Sequence, residues 1–452
     1  MGEVSALLVK LETPEGELVD IGFLYNADEK NWFEFAEHYW DLPNRPILGQ
    51  TFEEHGRSWR PSAHVALPTW FSHLLPEGTL RDAVASAAGT NKAREFNLLA
   101  RIGADDLPGA LRLGTSDELR SVERPPELEA AEDAEGIGNP LLKFSLAGTQ
   151  LKFSIHRDSK GLTVPAKGQA GNVIVKLPDT RPGFSGVPQA ELACLNLARL
   201  SGIDTPNASQ VSISEIAGLE DWAHEVSAPA LTVDRFDRKG RGRIHMEELA
   251  QVLNIPAASD TAKYRRANFE TIASIIGALC GPAAVGDVIT RIVFNVLIGN
   301  GDAHLKNWAI LYPDGMTPAL SPIYDVLPTV LFLPGDDMGL KLAGSRIFEG
   351  VSVKSFAVIG SRTAFGVDNA RVCAQQAVER ILENWESLGL ILPSSSFKNL
   401  TNRLNSLALI KRASLVLLPY LIFVADAGLG SQQPCRPKAD LLRDRTADAP
   451  ER

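Results

Sequence analysis

Polar and apolar residues alternate at the start of the chain and give way to helical spacing further along. The segment VSALLVKLETPEGELVDIGFLYN, which begins at Val4, alternates on both sides of a polar break. Pro14 and Gly16 supply turn chemistry in that break, so the pattern predicts two strands joined by a turn. The later segment AVASAAGTNKAREFNLLARIGA combines helix-forming residues with apolar positions near the helical period, which predicts helix.

A second strand-rich region follows an acidic stretch. Residues 117–139 carry many carboxylates and a Pro-Pro pair, which is typical of a linker. After it, LLKFSLAGTQLKFSIHRDSKGLTVPA, NVIVKLP and APALTVDRFDR have strand character, and PQAELACLNLARLSGI between them has helical spacing. From about Ile244 onward helical patterns dominate, and the last two dozen residues are polar and predict a disordered tail. The fold class predicted is α+β.

Composition narrows the class of protein only slightly. The chain has 452 residues, enough for two or three subdomains, and 45 basic against 55 acidic residues give a net charge of −10. That charge disfavours a protein that coats nucleic acid by itself. The four scattered cysteines form no C-x-x-C pair and are typical of a reducing cytoplasm. We see no signal peptide and no apolar run long enough to span a membrane.

Candidate chemistry lies in the segment FNVLIGNGDAHLKNWAIL, where an apolar run breaks around Asp302. An Asp followed five residues later by an Asn, here Asn307, is a spacing used in phosphoryl transfer. The Asp accepts the proton of an attacking hydroxyl and the Asn oxygen binds Mg²⁺. Asp325, in LSPIYDVLPT, supplies a second oxygen ligand for the metal. Each residue alone also fits ordinary turn chemistry.

A kinase also needs a cation for the phosphates of ATP. Lys176 ends the short strand NVIVKLP, and a lysine there is costly to bury unless it is paired. Glu191, on the following helix, is the predicted partner. The segment SLAGTQLK, residues 145–152, has small residues that permit close backbone approach to phosphate. A surface lysine, a solvated helix face and a plain turn are the alternative readings of these three features.

His304 and Lys306 remain open. No second His or Cys lies nearby in sequence, so His304 is a poor candidate for a metal ligand, and it either bonds the loop backbone or contacts phosphate. Lys306 either neutralises phosphate charge or pairs with a neighbouring carboxylate.

The order of these motifs resembles the HipA-type Ser/Thr kinases, the toxins of HipBA toxin–antitoxin systems. The resemblance rests on FSHLLPEGTLR, FNLLARIGADDLPGALRL, SLAGTQLKFS, VIVKLP, AELACLNLARLSGIDTP, LTVDRFDR, IHMEELAQVLNI with the KY at 263–264, LIGNGDAHLKNWAIL and SPIYDVLPT, in that order. It implies a two-lobed protein-kinase-like fold with a strand-rich N-lobe, an extra N-terminal subdomain and an all-helical C-lobe. The implied boundaries are 1–116 for the subdomain, 140–240 for the N-lobe, 241–427 for the C-lobe and 428–452 for a disordered tail.

The resemblance also implies roles for individual residues. Asp302 matches the catalytic base, Asn307 and Asp325 the magnesium ligands, Lys176 the lysine that binds ATP phosphates, and Ser145 an autophosphorylated serine that silences the enzyme. The ATP-contacting set implied is Ala147, Gly148, Thr149, Gln150, Leu151, Lys152, Lys176, the hinge residues Asp234, Arg235 and Phe236, His304, Lys306, Asn307, Tyr324 and Asp325. Thr149 and Asp234 depart from the family pattern, which usually has Ala and often Glu at these positions.

The function implied is an ATP- and Mg²⁺-dependent kinase that phosphorylates a translation-related protein, such as an aminoacyl-tRNA synthetase, and arrests growth. A HipB-like helix-turn-helix antitoxin would bind the chain and bring it indirectly to operator DNA. Two alternatives stay open. One is a small-molecule phosphotransferase of the aminoglycoside kind, which Asn300 disfavours because that class usually has His two positions before the Asp. The other is a non-catalytic scaffold that binds the antitoxin.

Overall fold

Within the residues that the structure describes, the strands form four sheets. The computed structural model describes residues 5–87, 89–102, 106–114, 152–159, 161–164, 170–179, 181–219, 228–240, 242–257, 259 and 261–410. The strands are β1 (Ser5–Glu12), β2 (Leu18–Ala27), β3 (Lys30–Phe35), β4 (Ser62–His64), β5 (Leu111–Gly114), β6 (Lys152–Asp158), β7 (Gly161–Thr163), β8 (Val173–Lys176), β9 (Ala208–Val211), β10 (Ile216–Ala217), β11 (Ala230–Asp234), β12 (Arg238–Lys239), β13 (Gly242–Arg243), β14 (His245–Glu248), β15 (Ala309–Tyr312) and β16 (Ala319–Leu320). The helices are α1 (Gln50–His55), α2 (Thr69–Ser72), α3 (Gly78–Ala87), α4 (Glu95–Ile102), α5 (Val187–Leu200), α6 (Leu249–Val252), α7 (Ala262–Arg265), α8 (Phe269–Leu279), α9 (Ala283–Ile298), α10 (Ala357–Arg362), α11 (Val367–Glu383) and α12 (Ser394–Leu404).

The first sheet has five antiparallel strands in the order β4-β3-β2-β1-β5. Its β1–β2 hairpin closes where the sequence predicts, because Gly16 adopts a φ of 92° and donates its N–H to the Thr13 carbonyl at 2.9 Å. Apolar side chains of β1, β2 and β3 pack on aromatic residues of the following helices, among them Phe52, Trp70 and Phe71. The predicted two strands and turn are therefore confirmed.

The second sheet carries the residues of greatest interest. It has six strands in the order β10-β7-β6-β8-β11-β9, and β8 lies between β6 and β11. Val173 and Val175 of β8 are fully buried, which the β-branched run predicts, and helix α5 packs on β9 and β11. Lys176, the last residue of β8, pairs with Lys152 on β6 and with Leu231 on β11.

Helices dominate the region after β13, but one expectation needs correction. The family resemblance implies an all-helical C-lobe, whereas β14, β15 and β16 form a three-stranded antiparallel sheet within it. All four residues of β15 are buried, so the strand shows no alternation of polar and apolar positions. A short, fully apolar run cannot be told from a buried helix by its period, which is why the strand was missed.

Helix α9 forms the centre of the helical region. Every residue from Val288 to Ile298 is buried, and the helix packs on α8 and α11. It ends at Gly299, whose φ of 73° lies in the left-handed region that favours glycine. A Cβ at Gly299 would lie 2.5 Å from Cγ2 of Val330, so a side chain there meets both a conformational and a steric obstacle. The loop after α9 therefore leaves the helix at a defined point.

A buried carboxylate joins the first sheet's region to the rest of the described chain. Glu247, on β14, accepts hydrogen bonds from the backbone N–H of Gln50 (2.9 Å), from the Trp70 indole (3.2 Å) and from the Tyr312 hydroxyl. Burial raises the pKa of Glu247 to about 7, although these donors favour its charged form. The N-terminal region is thus attached through satisfied polar groups as well as apolar contacts.

Some expectations lie outside the described residues. These are the linker at 117–139, Ser145, residues 147–151 of the predicted phosphate loop and the tail at 428–452. Among the helices in the described ranges, none combines the length and the apolar character needed to cross a bilayer.

We expect acid to weaken the fold through His245. This residue is 4% exposed, its Nε2 bonds the Leu48 carbonyl at 2.8 Å, and burial lowers its pKa to about 4. In the unfolded chain, where the histidine pKa is near 6.5, His245 binds a proton at pH values at which it stays neutral in the folded chain. The free energy of unfolding should therefore fall as pH drops from about 6.5 toward 4, by up to roughly 1.4 kcal/mol per pH unit for this residue.

Urea unfolding of the wild type and of His245→Gln across this range measures the effect. The variant retains a donor for Leu48 but does not titrate, so its stability should depend less steeply on pH. His73, whose pKa burial also lowers to about 4, continues to contribute in both proteins. Identical slopes in the two proteins would show that His245 is not the group responsible.

Candidate active site

The loop after α9 holds Asp302 by its backbone. The Asp302 N–H donates to Oδ1 of Asn300 at 3.0 Å, and the Asp302 carbonyl accepts from Nδ2 of Asn307 at 2.7 Å and from the His304 N–H at 2.7 Å. Asn300 is itself held by Asn295 of α9 at 2.9 Å. The Asp302 side chain is 52% exposed. The result is a carboxylate on a fixed backbone, open to an incoming group.

Asn307 and Asp325 come together although 18 residues separate them in sequence. Both line one pocket, whose polar lining residues are Arg291, Asn295, Asn300, Asn307, Tyr324 and Asp325. The amide nitrogen of Asn307 is engaged by Asp302, which leaves its amide oxygen as the group available to a cation. Asp325 has a φ of 51°, a left-handed conformation that Asp tolerates better than most residues and that often marks functional loops.

The ammonium of Lys176 binds two carboxylates. It lies 2.6 Å from Oε1 of Glu191 and also contacts Oδ1 of Asp325, and only 6% of Lys176 is exposed. Burial alone would lower the pKa of Lys176, but Asp325 and Glu191 outweigh it and raise the pKa above its ordinary value. The predicted pairing of Lys176 with Glu191 is confirmed, and its alternative, a surface lysine, is wrong.

Asp325 also receives a second cation. Lys152, the first residue of β6, places its Nζ 3.3 Å from Oδ2 of Asp325. Burial would raise the pKa of Asp325, but Lys152 and Lys176 hold it well below its ordinary value. The carboxylate is therefore charged at neutral pH.

The donor set fits a magnesium ion that also binds phosphate oxygens. Mg²⁺ takes oxygen ligands and is commonly held by one or two protein groups together with phosphates. Asn307 and Asp325 supply such oxygens in one pocket. Among the described residues no three His, Cys, Asp or Glu side chains gather into a metal-binding cluster.

Two of the three predicted hinge residues, 234–236, have backbone N–H groups that already donate hydrogen bonds within the fold. The N–H of Asp234 donates to the Asn207 carbonyl (2.8 Å) and that of Arg235 to the Asn172 carbonyl (2.9 Å). The Arg235 guanidinium binds Asp106 and Asp237 at 2.7 Å each. Its side chain therefore serves the fold. The Phe236 ring lies 5.5 Å from the Tyr324 ring, so these two predicted residues are neighbours.

Lys306 is engaged by carboxylates, which is one of its two predicted roles. Its Nζ lies 2.9 Å from Oε1 of Glu77 and 3.6 Å from Oε2 of Glu248. Glu77 also binds Lys263 at 2.9 Å, and although burial would raise the pKa of Glu77, the two lysines lower it to about 2. The backbone carbonyl of Lys306 accepts the Tyr324 hydroxyl at 2.8 Å.

His304 bonds the loop backbone, as one of its two readings predicted. Its Nδ1 accepts the Lys306 N–H at 3.3 Å, and its side chain is 8% exposed. Burial lowers the pKa of His304 to about 4, so the ring is neutral near pH 7. It belongs to the framework of the loop.

The sequence reasoning missed three residues at this site. Tyr264 donates its hydroxyl to Asp302, Glu77 reaches Lys306 from the N-terminal region, and Arg291 lines the pocket with its Nε lacking a hydrogen-bond partner among the described residues. Burial lowers the pKa of Arg291 to about 10. The sequence does mark Arg291, because it is a charged residue within an apolar helical segment. Tyr264 and Glu77 lie 38 and 225 residues from Asp302, and the motifs that contain them indicated no role for either side chain.

A strand-rich lobe with a buried Lys–Glu pair, followed by a helical lobe with the Asp302–Asn307 loop, defines the class of two-lobed, protein-kinase-like α+β folds. Comparison with protein-family models agrees. The HipA-like C-terminal domain matches residues 144–385, more than half of the chain, and the HipA N-terminal domain matches residues 17–114. The chain therefore belongs to the HipA family.

Relatives and a solved structure extend this result. The chain is 37% identical over 377 residues to a Sinorhizobium fredii protein named "Putative kinase Y4dM", covering 82% of this chain and 89% of the relative. It is 25% identical over 362 residues to the serine/threonine-protein kinase toxin HipA of Shewanella oneidensis, covering 73% and 77%. HipA in the Shewanella oneidensis HipA, HipB and operator DNA complex has a TM-score of 0.67 at 18% identity, with 94% of this chain and 100% of that chain covered, which establishes the fold.

We expect Lys176→Met to weaken the fold and nucleotide binding together. Removing the ammonium leaves Glu191 buried without its cation, and breaking a buried ion pair in this way costs about 3–5 kcal/mol. Urea unfolding measures that loss, and isothermal calorimetry with ATP and Mg²⁺ measures affinity. Lys152→Met is the matched control for stability, because the Lys152 side chain is 57% exposed and should change it by less than about 1 kcal/mol.

The double variant Lys176→Met/Glu191→Leu separates the two effects. Replacing both partners by apolar groups should restore part of the stability but none of the ATP affinity. A Lys176→Met protein as stable as the wild type would contradict the electrostatic role given to this lysine.

Proposed function

We propose that this chain is an ATP- and Mg²⁺-dependent Ser/Thr protein kinase that acts as the toxin of a toxin–antitoxin pair. One observation carries the proposal. A half-exposed Asp302 lies on a loop whose Asn307 shares a pocket with Asp325, and Asp325 is bound to the buried ammonium of Lys176. This arrangement supports the proposed roles of Asp302 as base, Asn307 and Asp325 as cation ligands and Lys176 as the phosphate-binding lysine.

Each group has a distinct task in the proposed reaction. The oxygen of a Ser or Thr hydroxyl bonds to the γ-phosphorus of ATP, and ADP departs. Asp302 accepts the proton that this hydroxyl loses. Lys176 and Lys152 orient the phosphates, and Asn307 keeps the Asp302 backbone in place. A magnesium ion on the oxygens of Asn307 and Asp325 would supply neutralisation of phosphate charge. Positioning and charge stabilisation provide most of the rate in such reactions.

Similarity to one relative supports the proposed acceptor and the proposed consequence for the cell. The Shewanella oneidensis relative is named a serine/threonine-protein kinase toxin, which supports a Ser or Thr acceptor and a growth-arresting effect for this chain. We place the substrate among translation-related proteins, such as an aminoacyl-tRNA synthetase. Phosphorylation that blocks charging of tRNA would stop growth and favour persistence.

Autophosphorylation on Ser145 would silence the kinase. Ser145 lies seven residues before Lys152 in the sequence. The Nζ of Lys152 is 3.3 Å from Oδ2 of Asp325. A phosphoserine carries close to two negative charges, so it would repel the phosphates of incoming ATP. The proposal places ATP contacts at residues 147–152 and at the backbone of residues 234–236.

Changing Asp302 tests the proposal. Asp302→Asn keeps the size of the side chain but cannot take up the substrate proton, so phosphate transfer should fall by about a hundredfold or more. Phosphoproteomics and growth curves of cells that briefly express each protein measure it. Asp41→Asn, a change at a 69% exposed aspartate in the N-terminal region, is the matched control and should behave as wild type.

The result also separates the alternatives. Phosphopeptides that depend on Asp302 support a protein kinase, whereas phosphorylated metabolites alone point to a small-molecule phosphotransferase. Growth arrest that persists in the Asp302→Asn strain would contradict a kinase-dependent toxin and favour a scaffold.

We also propose a HipB-like helix-turn-helix antitoxin as partner, with operator DNA reached through it. Two observations support this: the similar solved structure is a complex of HipA, HipB and operator DNA, and the net charge of −10 leaves the DNA contact to a basic partner. Purification of the tagged Asp302→Asn chain from its native cells should retain a small helix-turn-helix protein. That mixture should retard operator DNA, and the chain alone should not. Retardation by the chain alone would contradict the partner's role.

A further inference from the structure

Tyr264 touches the proposed catalytic base directly. It lies on α7 and donates its hydroxyl to Oδ1 of Asp302. In the described part of the chain no other hydrogen bond reaches the Asp302 carboxylate, and the Nε2 of His304 lies 3.7 Å from Oδ1. The tyrosine therefore takes one carboxylate oxygen and leaves Oδ2 open.

Tyr264 is itself held in place from two sides. Its ring packs edge-to-face on His304, with ring centroids 5.0 Å apart and planes at 76°, and its backbone carbonyl accepts Nη2 of Arg346 at 2.5 Å. Burial and the neighbouring Asp302 charge raise the pKa of Tyr264 far above its ordinary value. The hydroxyl thus keeps its proton and remains a donor.

The Asp302 side chain needs such a contact. Its backbone is fixed by Asn300 and Asn307, but these contacts leave the two side-chain torsions free, and half of the side chain faces solvent. A base works only when an oxygen lone pair lies within hydrogen-bond reach of the proton it removes. Hydrogen bonds to charged acceptors are strong enough to select one rotamer.

We propose that Tyr264 is a positioning residue for phosphoryl transfer, whose hydroxyl fixes the Asp302 carboxylate so that Oδ2 faces the substrate hydroxyl. This inference rests on the proposed function, in which Asp302 is the base. The contact also permits the opposite role, in which the tyrosine hydroxyl occupies the acceptor's place and inhibits the enzyme. The direction of the change in rate distinguishes the two.

Tyr264→Phe removes only the hydroxyl. Loss of one hydrogen bond to a charged group predicts a fall in kcat of roughly ten- to a hundredfold, with KM for ATP and for the acceptor nearly unchanged. The assay uses ATP and a synthetic peptide that spans the strongest Asp302-dependent phosphorylation site from the phosphoproteomic comparison. Rates are taken per nucleotide-binding site counted by calorimetry, which corrects for any unfolded fraction. Tyr25→Phe, on β2 of the first sheet, is the matched control and should keep wild-type rates.

A double-mutant cycle with Asp302→Ala supplies a readout that a purely structural role would not move. If Tyr264 acts through Asp302, adding Tyr264→Phe to Asp302→Ala should not lower the residual rate further. An equal fall in both backgrounds, an unchanged kcat in Tyr264→Phe, or a raised kcat would each overturn the proposal. If Asp302→Ala itself retains full activity, the proposed function fails first, so the two failures are distinct.

Discussion

The site depends on one buried ammonium group shared by two carboxylates. Lys176 ends a central strand, Glu191 lies on α5, and Asp325 lies on a loop more than a hundred residues further along. Each charge would be costly to bury alone, and the three offset one another's desolvation. Two carboxylates against one ammonium leave negative charge, which Lys152 partly balances. This balance couples the N-lobe sheet to the helical lobe at the place where we propose that a cation and phosphates bind.

The loop that carries Asp302, the proposed base, is held differently, by neutral side chains. Asn295 holds Asn300, Asn300 holds the Asp302 N–H, and Asn307 holds the Asp302 carbonyl. Amides supply donors and acceptors together, so they can fix a loop without adding charge beside the proposed metal site. Glu77 adds a contact from the N-terminal region by binding Lys306 and Lys263. The N-terminal region therefore contacts the segment that follows Asp302 as well as packing against the lobes.

Local patterns were sufficient where the physics is local. The β1–β2 turn follows from Pro14 and Gly16, and the strand that ends at Lys176 follows from its β-branched run. The pairing of Lys176 with Glu191 followed from the cost of burying a lysine. The strand β15 was missed because four buried apolar residues carry no period, and Lys306 stayed open because its carboxylate partners lie 229 and 58 residues away in sequence.

The amino-acid sequence by itself determined the α+β class, the spacing of Asp302 and Asn307, and the presence of an unusual lysine at a strand end, because each depends on residues close together in the chain. Only the tertiary structure decided which groups meet. It put Asp325 against Lys176, Tyr264 against Asp302 and Glu77 against Lys306. These contacts join segments that chain connectivity leaves independent, and they form only when sheet, helices and loops have packed.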